Sequence, residues 1–174
     1  MDKEFFRKQF KEKTKELDLK HAFTFDEAWD FMEYRRGIME LEYKFRQAPA
    51  FEFDQKEIDR INPLKHTYAD GCVVREIFNP AGQLLITKIH KVAHPFFLLK
   101  GKMSILSENG VKEIEAPHYG ITPAGTKRLI YTHTDCVFVT VHVTKERDPK
   151  KIEDEVIAKS FNDLPEIDID TKEV

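Results

Sequence analysis

Residues 90–105, HKVAHPFFLLKGKMSI, place two histidines four apart, ahead of a proline and an apolar run that ends in glycine. Neutral imidazole is a competent ligand for zinc, iron, manganese or nickel. His90 and His94, with one of His142, His133 or His118 as a third ligand, could form a three-histidine site. An open position on the ion would then allow metal-assisted chemistry. Two cations stand close by in sequence or pattern. Lys88 supplies a point charge, and Arg128 a planar fork suited to carboxylate or phosphate. If Lys88 and His90 lie on one strand face, as residues two apart do, both point inward. Arg128 would then enter the same cavity from an opposing strand. Tyr131 and His142 complete the candidate ligand-binding set of Lys88, His90, His94, Arg128, Tyr131 and His142. The direction of His94 is not fixed by pattern, because Pro95 can turn the strand.

These residues admit competing chemistries. Two cations buried without an anion are costly, so either a bound anion or an internal carboxylate must offset them. Glu76 and Asp135 are the internal candidates for pairing with Lys88 or Arg128. The metal reading meets an electrostatic difficulty, since the same two cations repel a divalent ion unless an anion accompanies it. For any one of the histidines alone, a structural role is the simpler account. A histidine with Tyr131 could act as an acid–base pair. No Ser/His/Asp or Cys/His spacing stands out, and no glycine-rich phosphate loop leads from a strand into a helix.

The elements that must position these groups fall into three zones: a helical extension over 1–60, a β-barrel over 61–145, and a helix with an acidic tail over 146–174. In the first, Phe6, Phe10, Thr14 and Leu17 mark one face of a short opening helix. Thr24 and Glu27 form a capping box for a second, with Ala28, Phe31, Met32, Ile38, Met39 and Tyr43 at helical spacing and Ala48-Pro49 as its stop. That apolar stripe predicts packing on a core or on a second copy. The middle zone is a series of short β-branched and aromatic runs: GCVVREIF, QLLITKIH, PFFLLKG, KMSILS, VKEIEA, GITPAG, TKRLIYT and CVFVTVHV. Asn109-Gly110 between two of them predicts a hairpin. So many short strands predict a sandwich or small barrel. In the last zone Asp148 is suited to cap a helix with Pro149 at its first position, and Ile152, Val156 and Ile157 give it an apolar side.

Composition narrows the function classes. The 174 residues suffice for one domain with decorated ends, and a net charge of −3 argues against nucleic acid or a membrane surface as partner. The two cysteines, Cys72 and Cys136, lie in apolar runs without zinc spacing, which predicts buried thiols rather than a disulfide framework. The charged opening MDKEFFRKQFKEK has no signal-peptide pattern, and no apolar run reaches membrane-spanning length. The expectation is a cytoplasmic protein.

The middle zone resembles the cupin fold. GQLLITKIHKVAHPFFLLKGKMSI aligns with the first cupin motif through Gly101, and GITPAGTKRLIY with the second through Pro123 and Gly125. The resemblance covers about half of the chain. It implies a mainly β, cupin-like double-stranded β-helix barrel with N-terminal helices and a C-terminal helix (α+β overall). It also implies where metal ligands belong, and there the chain departs from the pattern. Lys88 stands at the first histidine, His90 keeps the second, His94 replaces the glutamate, and Arg128 replaces the histidine of the second motif. Cations cannot serve as ordinary ligands, so the usual four-ligand set is broken. The strings ADGCVVREIFNPAG, KIHKVAHPF, GITPAGTKR and DCVFVTVH further resemble small phage-encoded cupin-like proteins, which implies work in a host cytoplasm.

Three functional expectations result. The first is binding of a small anion (a nucleotide, sugar phosphate or carboxylate), which in a phage setting could sequester a host nucleotide signal. The second is a metal-dependent oxygenase or isomerase with His90 and His94 as ligands. The third is a virion-associated or interaction scaffold. The flanking aromatic helices also suggest a homodimer or higher oligomer.

Overall fold

The computed structural model describes Lys8, residues 25–47 and residues 54–164. The expected opening helix on Phe6, Phe10, Thr14 and Leu17, the Thr24 cap, the Ala48-Pro49 stop and the acidic tail from Pro165 lie outside the described residues. Helix α1 (Phe25–Gln47) follows the expected periodicity. Of its stripe only Ile38 is buried among the described side chains, whereas Phe31, Met32 and Tyr43 are exposed. Polar contacts fasten this helix to the barrel. The Tyr34 hydroxyl reaches the carbonyls of Leu106 and Lys127, each at 3.0 Å, and donates to one at a time. Glu42 pairs at 2.9 Å with Lys127, which is only 3% exposed. A short helix α2 (Gln55–Ile61), capped by the Asp54 carboxylate, leads into the strands.

Eleven strands follow among the described residues, because alternating apolar residues separated by turn residues cannot satisfy their backbone except in ladders. They are β1 (Leu64–Ala69), β2 (Cys72–Asn79), β3 (Leu84–Ile86), β4 (Ile89–His90), β5 (His94–Lys100), β6 (Lys102–Ser107), β7 (Gly110–Glu115), β8 (His118–Thr122), β9 (Leu129–Thr132), β10 (Cys136–Val143) and β11 (Ile157–Ala158). A five-stranded sheet has the order β1-β2-β10-β5-β8, and a four-stranded sheet the order β3-β9-β6-β7. All pairings are antiparallel. The expected Asn109-Gly110 hairpin is present, its register closing on Ser107 opposite Gly110. The two sheets share one core: Phe96, Leu98 and Cys136 from the first meet Met103, Ile105, Ile114 and Ile130 from the second. This is a mainly β, cupin-like barrel with helices added at its ends.

Two local features set the barrel's frame. Gly101 joins β5 to β6 at φ +91°, where a Cβ would lie 2.3 Å from the Asp135 carbonyl oxygen; only glycine fits. At the same end, the Thr132 hydroxyl donates to the Pro80 carbonyl at 2.6 Å, and Asn62 bonds Asn79 and Gln83. This satisfied polar set closes the barrel. The other end is closed by helix α3 (Pro149–Val156), whose Asp148 cap accepts from the Lys150 and Lys151 amides. Ile152 and Val156 of α3 bury against Val73, with Tyr68 and Ile157 alongside. Ile157 itself leaves the helix and begins β11, one residue earlier than the apolar pattern suggests.

Candidate metal centre

The run QLLITKIH does not form one strand. It breaks at Thr87-Lys88 into β3 and β4, because Thr87 turns to exchange bonds with Arg128: its amide donates to the Arg128 carbonyl and its hydroxyl accepts from the Arg128 amide, both at 2.9 Å. With the strand broken, the two-residue alternation linking Lys88 to His90 is lost. Lys88 points outward, its side chain more than half exposed, and binds Glu153 of α3 at 2.5 Å. The structure thus removes Lys88 from the interior. Tyr131 also faces outward: it lies opposite Leu84 and Ser104, against the His133 ring, while its neighbour Thr132 is fully buried. His133 bonds Ser104 at the surface, and His118 lies 6.0 Å from the Phe96 ring.

The remaining histidines converge. On β10, Thr140 pairs with Phe96 of β5, so two residues further along the antiparallel register His142 comes level with His94. Pro95 does not turn β5 away, and His94 is 3% exposed beside Thr122 of β8. His90 enters from β4, held by Ile157 of β11. The ring centroids lie 4.1 Å (His90–His94), 4.5 Å (His94–His142) and 5.1 Å (His90–His142) apart. One candidate ligand atom from each lies within 4.8 Å of the others.

Hydrogen bonding leaves ring nitrogens of this cluster open. The His94 Nδ1 lies 3.3 Å from the Val92 carbonyl, which only accepts, so Nδ1 carries the proton and Nε2 is left basic. His142 Nε2 contacts the Thr140 hydroxyl at 3.1 Å. His142 Nδ1 and His90 Nε2 are buried with no hydrogen-bond partner among the described residues. Burial, reinforced by the neighbouring histidines and arginines, drives His90 down to about 2. Burial likewise takes His142 to about 4, with His94 and Arg75 adding to it. His94 is lowered too, chiefly by burial. All three are neutral near pH 7, the protonation state in which imidazole binds a metal.

Two guanidiniums complete the site. Arg128 stacks 5.2 Å above the Phe96 ring. That ring lies against Gly120, where a Cβ would come within 2.9 Å of it, so the absence of a side chain on β8 is what lets Phe96 lie there. Arg75 is opposite Thr140 on the inward row of β2, with Val73 and Ile77 on the same face, and donates to His66 Nε2 at 3.4 Å. Sequence reasoning passed over Arg75, although the alternation in VVREI places it inward. Glu76, the carboxylate proposed to neutralise the cavity, therefore takes the opposite face. Asp135 is engaged elsewhere, accepting from the Ala81 amide. Burial lowers the pKa of both arginines from the ordinary value.

No family model matches the sequence, and no curated protein does either. Solved structures with similar strand arrangements include a cupin-2 domain protein from Shewanella frigidimarina, 8% identical over 47% of this chain and 79% of that one, with a TM-score of 0.40. A cupin superfamily protein from Desulfitobacterium hafniense is 9% identical over 48% and 78%, with a TM-score of 0.42. A predicted oxalate decarboxylase from Thermotoga maritima is 16% identical over 47% and 79%, with a TM-score of 0.41. Likenesses of this size say nothing of this chain's chemistry. That rests on the three histidines, which could hold a metal, and on their surroundings.

Proposed function

We propose that this protein holds one divalent transition metal on His90, His94 and His142 and uses it to bind, and to act on, a small anionic molecule. The observation that carries this reading is the pair of buried, unpartnered ring nitrogens, His90 Nε2 and His142 Nδ1, facing a third imidazole across less than 4.8 Å. A buried polar atom without a partner is costly, and one ion would satisfy all three rings at once. Three neutral nitrogen donors suit zinc, iron, manganese or nickel. Such an ion supplies a Lewis acid, an activated water or, for iron, redox chemistry. The chain's own contribution is apolar packing beside the imidazoles: Phe96 against Phe138 on one side, and Val73 under Ile152 and Val156 of α3 on the other.

The ligand set differs from that of the resembled family in a specific way. The position of the second-motif histidine is occupied by Arg128, and His142 on β10 supplies an imidazole in its stead. A nucleotide-sequestering role, which the phage resemblance suggests, gains little support from the geometry. Lys88 is outside, and Lys127 is spent on Glu42 and the Thr87 carbonyl.

The test is elemental analysis after dialysis against zinc, iron(II), manganese and nickel in turn. The wild-type protein is expected to retain about one ion of at least one metal per chain. His90→Ala, His94→Ala and His142→Ala are each expected to lose at least 90% of it. Retention by the triple variant, or no uptake of any of the four metals by the wild type, overturns the assignment.

A further inference from the structure

The inner face of the five-stranded sheet carries a second row beside the histidines: His66, Arg75, Thr140, Phe96 and Gly120, in register across β1, β2, β10, β5 and β8. Arg75 rises from one side of Thr140. On the other side Arg128 lies over Phe96. Neighbouring strands are about 4.8 Å apart, so the backbones of Arg75 and Phe96 stand roughly 10 Å apart across Thr140, next to the imidazoles, with the Arg75 Nε donating to His66 on the far side. Neither arginine has a carboxylate within 4.0 Å among the described residues. Glu153, the acid whose charge Arg75 feels, is bound to Lys88, and Glu108, which Arg128 feels, lies 3.9 Å from Arg35.

Charge and donor geometry together define what belongs beside the two arginines. Two arginines and a divalent ion beside neutral imidazoles would total +4 with no internal anion in contact. Half-buried charge of that size requires a bound counter-charge. The donors available are planar forks, which match the two oxygens of a carboxylate. A phosphate can take the same forks, so the two anions are separated by the titration below.

Resting on the metal reading, we infer that the ligand is a small dicarboxylate: one carboxylate is clamped between Arg75 and Arg128 over Phe96, and the other end reaches the ion held by His90, His94 and His142. Arg75 is then a specificity-determining residue.

Isothermal titration of the manganese-loaded protein with malonate, succinate and 2-oxoglutarate tests this, with inorganic phosphate and malonamide as comparators. At least one dicarboxylate is expected to bind at least tenfold more tightly than phosphate, and malonamide not to bind. Arg75→Gln and Arg128→Gln should each weaken that dicarboxylate at least tenfold while keeping wild-type metal content, which also shows that the barrel has folded. Lysine at either position should restore only part of the loss, since it lacks the fork. Undiminished dicarboxylate binding in the Arg75→Gln/Arg128→Gln double variant overturns the clamp. So does tighter binding of phosphate, or a wild type that binds no dicarboxylate. A protein that takes up no metal yet binds a dicarboxylate in an Arg75-dependent way would sink the metal reading and leave the clamp standing.

Discussion

His90, His94 and His142 illustrate how burial holds an imidazole in the neutral form that a metal requires. In water each would be partly protonated at pH 6.5. Inside the barrel, desolvation and two nearby guanidiniums keep them neutral. The sign of the consequence is definite. The unfolded chain takes up protons on these histidines below about pH 6.5, whereas folded His90 and His142 resist until about 2 and about 4. Between those limits the unfolded state binds more protons, so acid favours unfolding. The metal-free protein is therefore expected to lose stability steadily from pH 6.5 to pH 4, by about 1.4 kcal/mol per pH unit for each such histidine at most. Urea midpoints measured across that range check this, and replacing His142 with Phe should flatten the slope. Added metal should shift the onset of the loss to lower pH, because the ion competes with the proton for the same lone pairs. Of the candidate site, His90 and His94 were named from residue type and spacing, His142 only as one of three possible third imidazoles, and Arg128 through its place in the second motif. Lys88 and Tyr131 were misplaced, because facing depends on register, and one broken strand resets it.

Among the elements, α1 shows the widest gap between pattern and packing. Its aromatic stripe suggested an apolar seam, yet among the described contacts its hold on the barrel runs through Tyr34, Arg35 with Glu108, Ile38 and the Glu42–Lys127 pair. Burial works against the Glu42 charge, but bonds from Lys127 and Arg46 outweigh it and hold the carboxyl below its usual range. Removing the carboxylate strands a buried ammonium. Glu42→Ala should therefore cost about 3 kcal/mol, and Glu42→Ala with Lys127→Met much less, because breaking a buried pair is worse than replacing it. Equilibrium urea unfolding of the wild type and both variants measures the difference. The pair was invisible in sequence, being a contact 85 positions apart between residues that look like ordinary surface charges.

For the whole molecule, the strands were legible because turn residues bracket nearly every one, whereas their order within the two sheets comes from the structure. What sequence could not supply was the fit of the C-terminal segment. Its helix was clear from Asp148-Pro149 and the apolar spacing, but not that Ile152 and Val156 would seal the barrel end beside Val73. Ile152 is 2% exposed, so Ile152→Ala should cost about 3 kcal/mol. If α3 is also the lid of the site, the same variant should weaken metal retention in competition with a chelator. Thermal melts and chelator titration together separate a loss of fold from a loose lid.

The short strand β11 has a consequence in time as well as in space. His90 lies in a two-residue strand whose ladder partner is Ile157–Ala158, and the Lys91 amide beside it donates to the Val156 carbonyl. His94 and His142 gain their strand partners within residues 72–143; the His90 carbonyl already accepts from the Gly125 amide at 2.8 Å, but its ladder partner comes only with Ile157–Ala158. A chain still being synthesised can thus set His94 and His142 in their ladders before the strand that frames His90 is complete. If the proposed ion is bound there, its full set of imidazoles is fixed only after α3 has been made, which ties metal loading to the arrival of that helix.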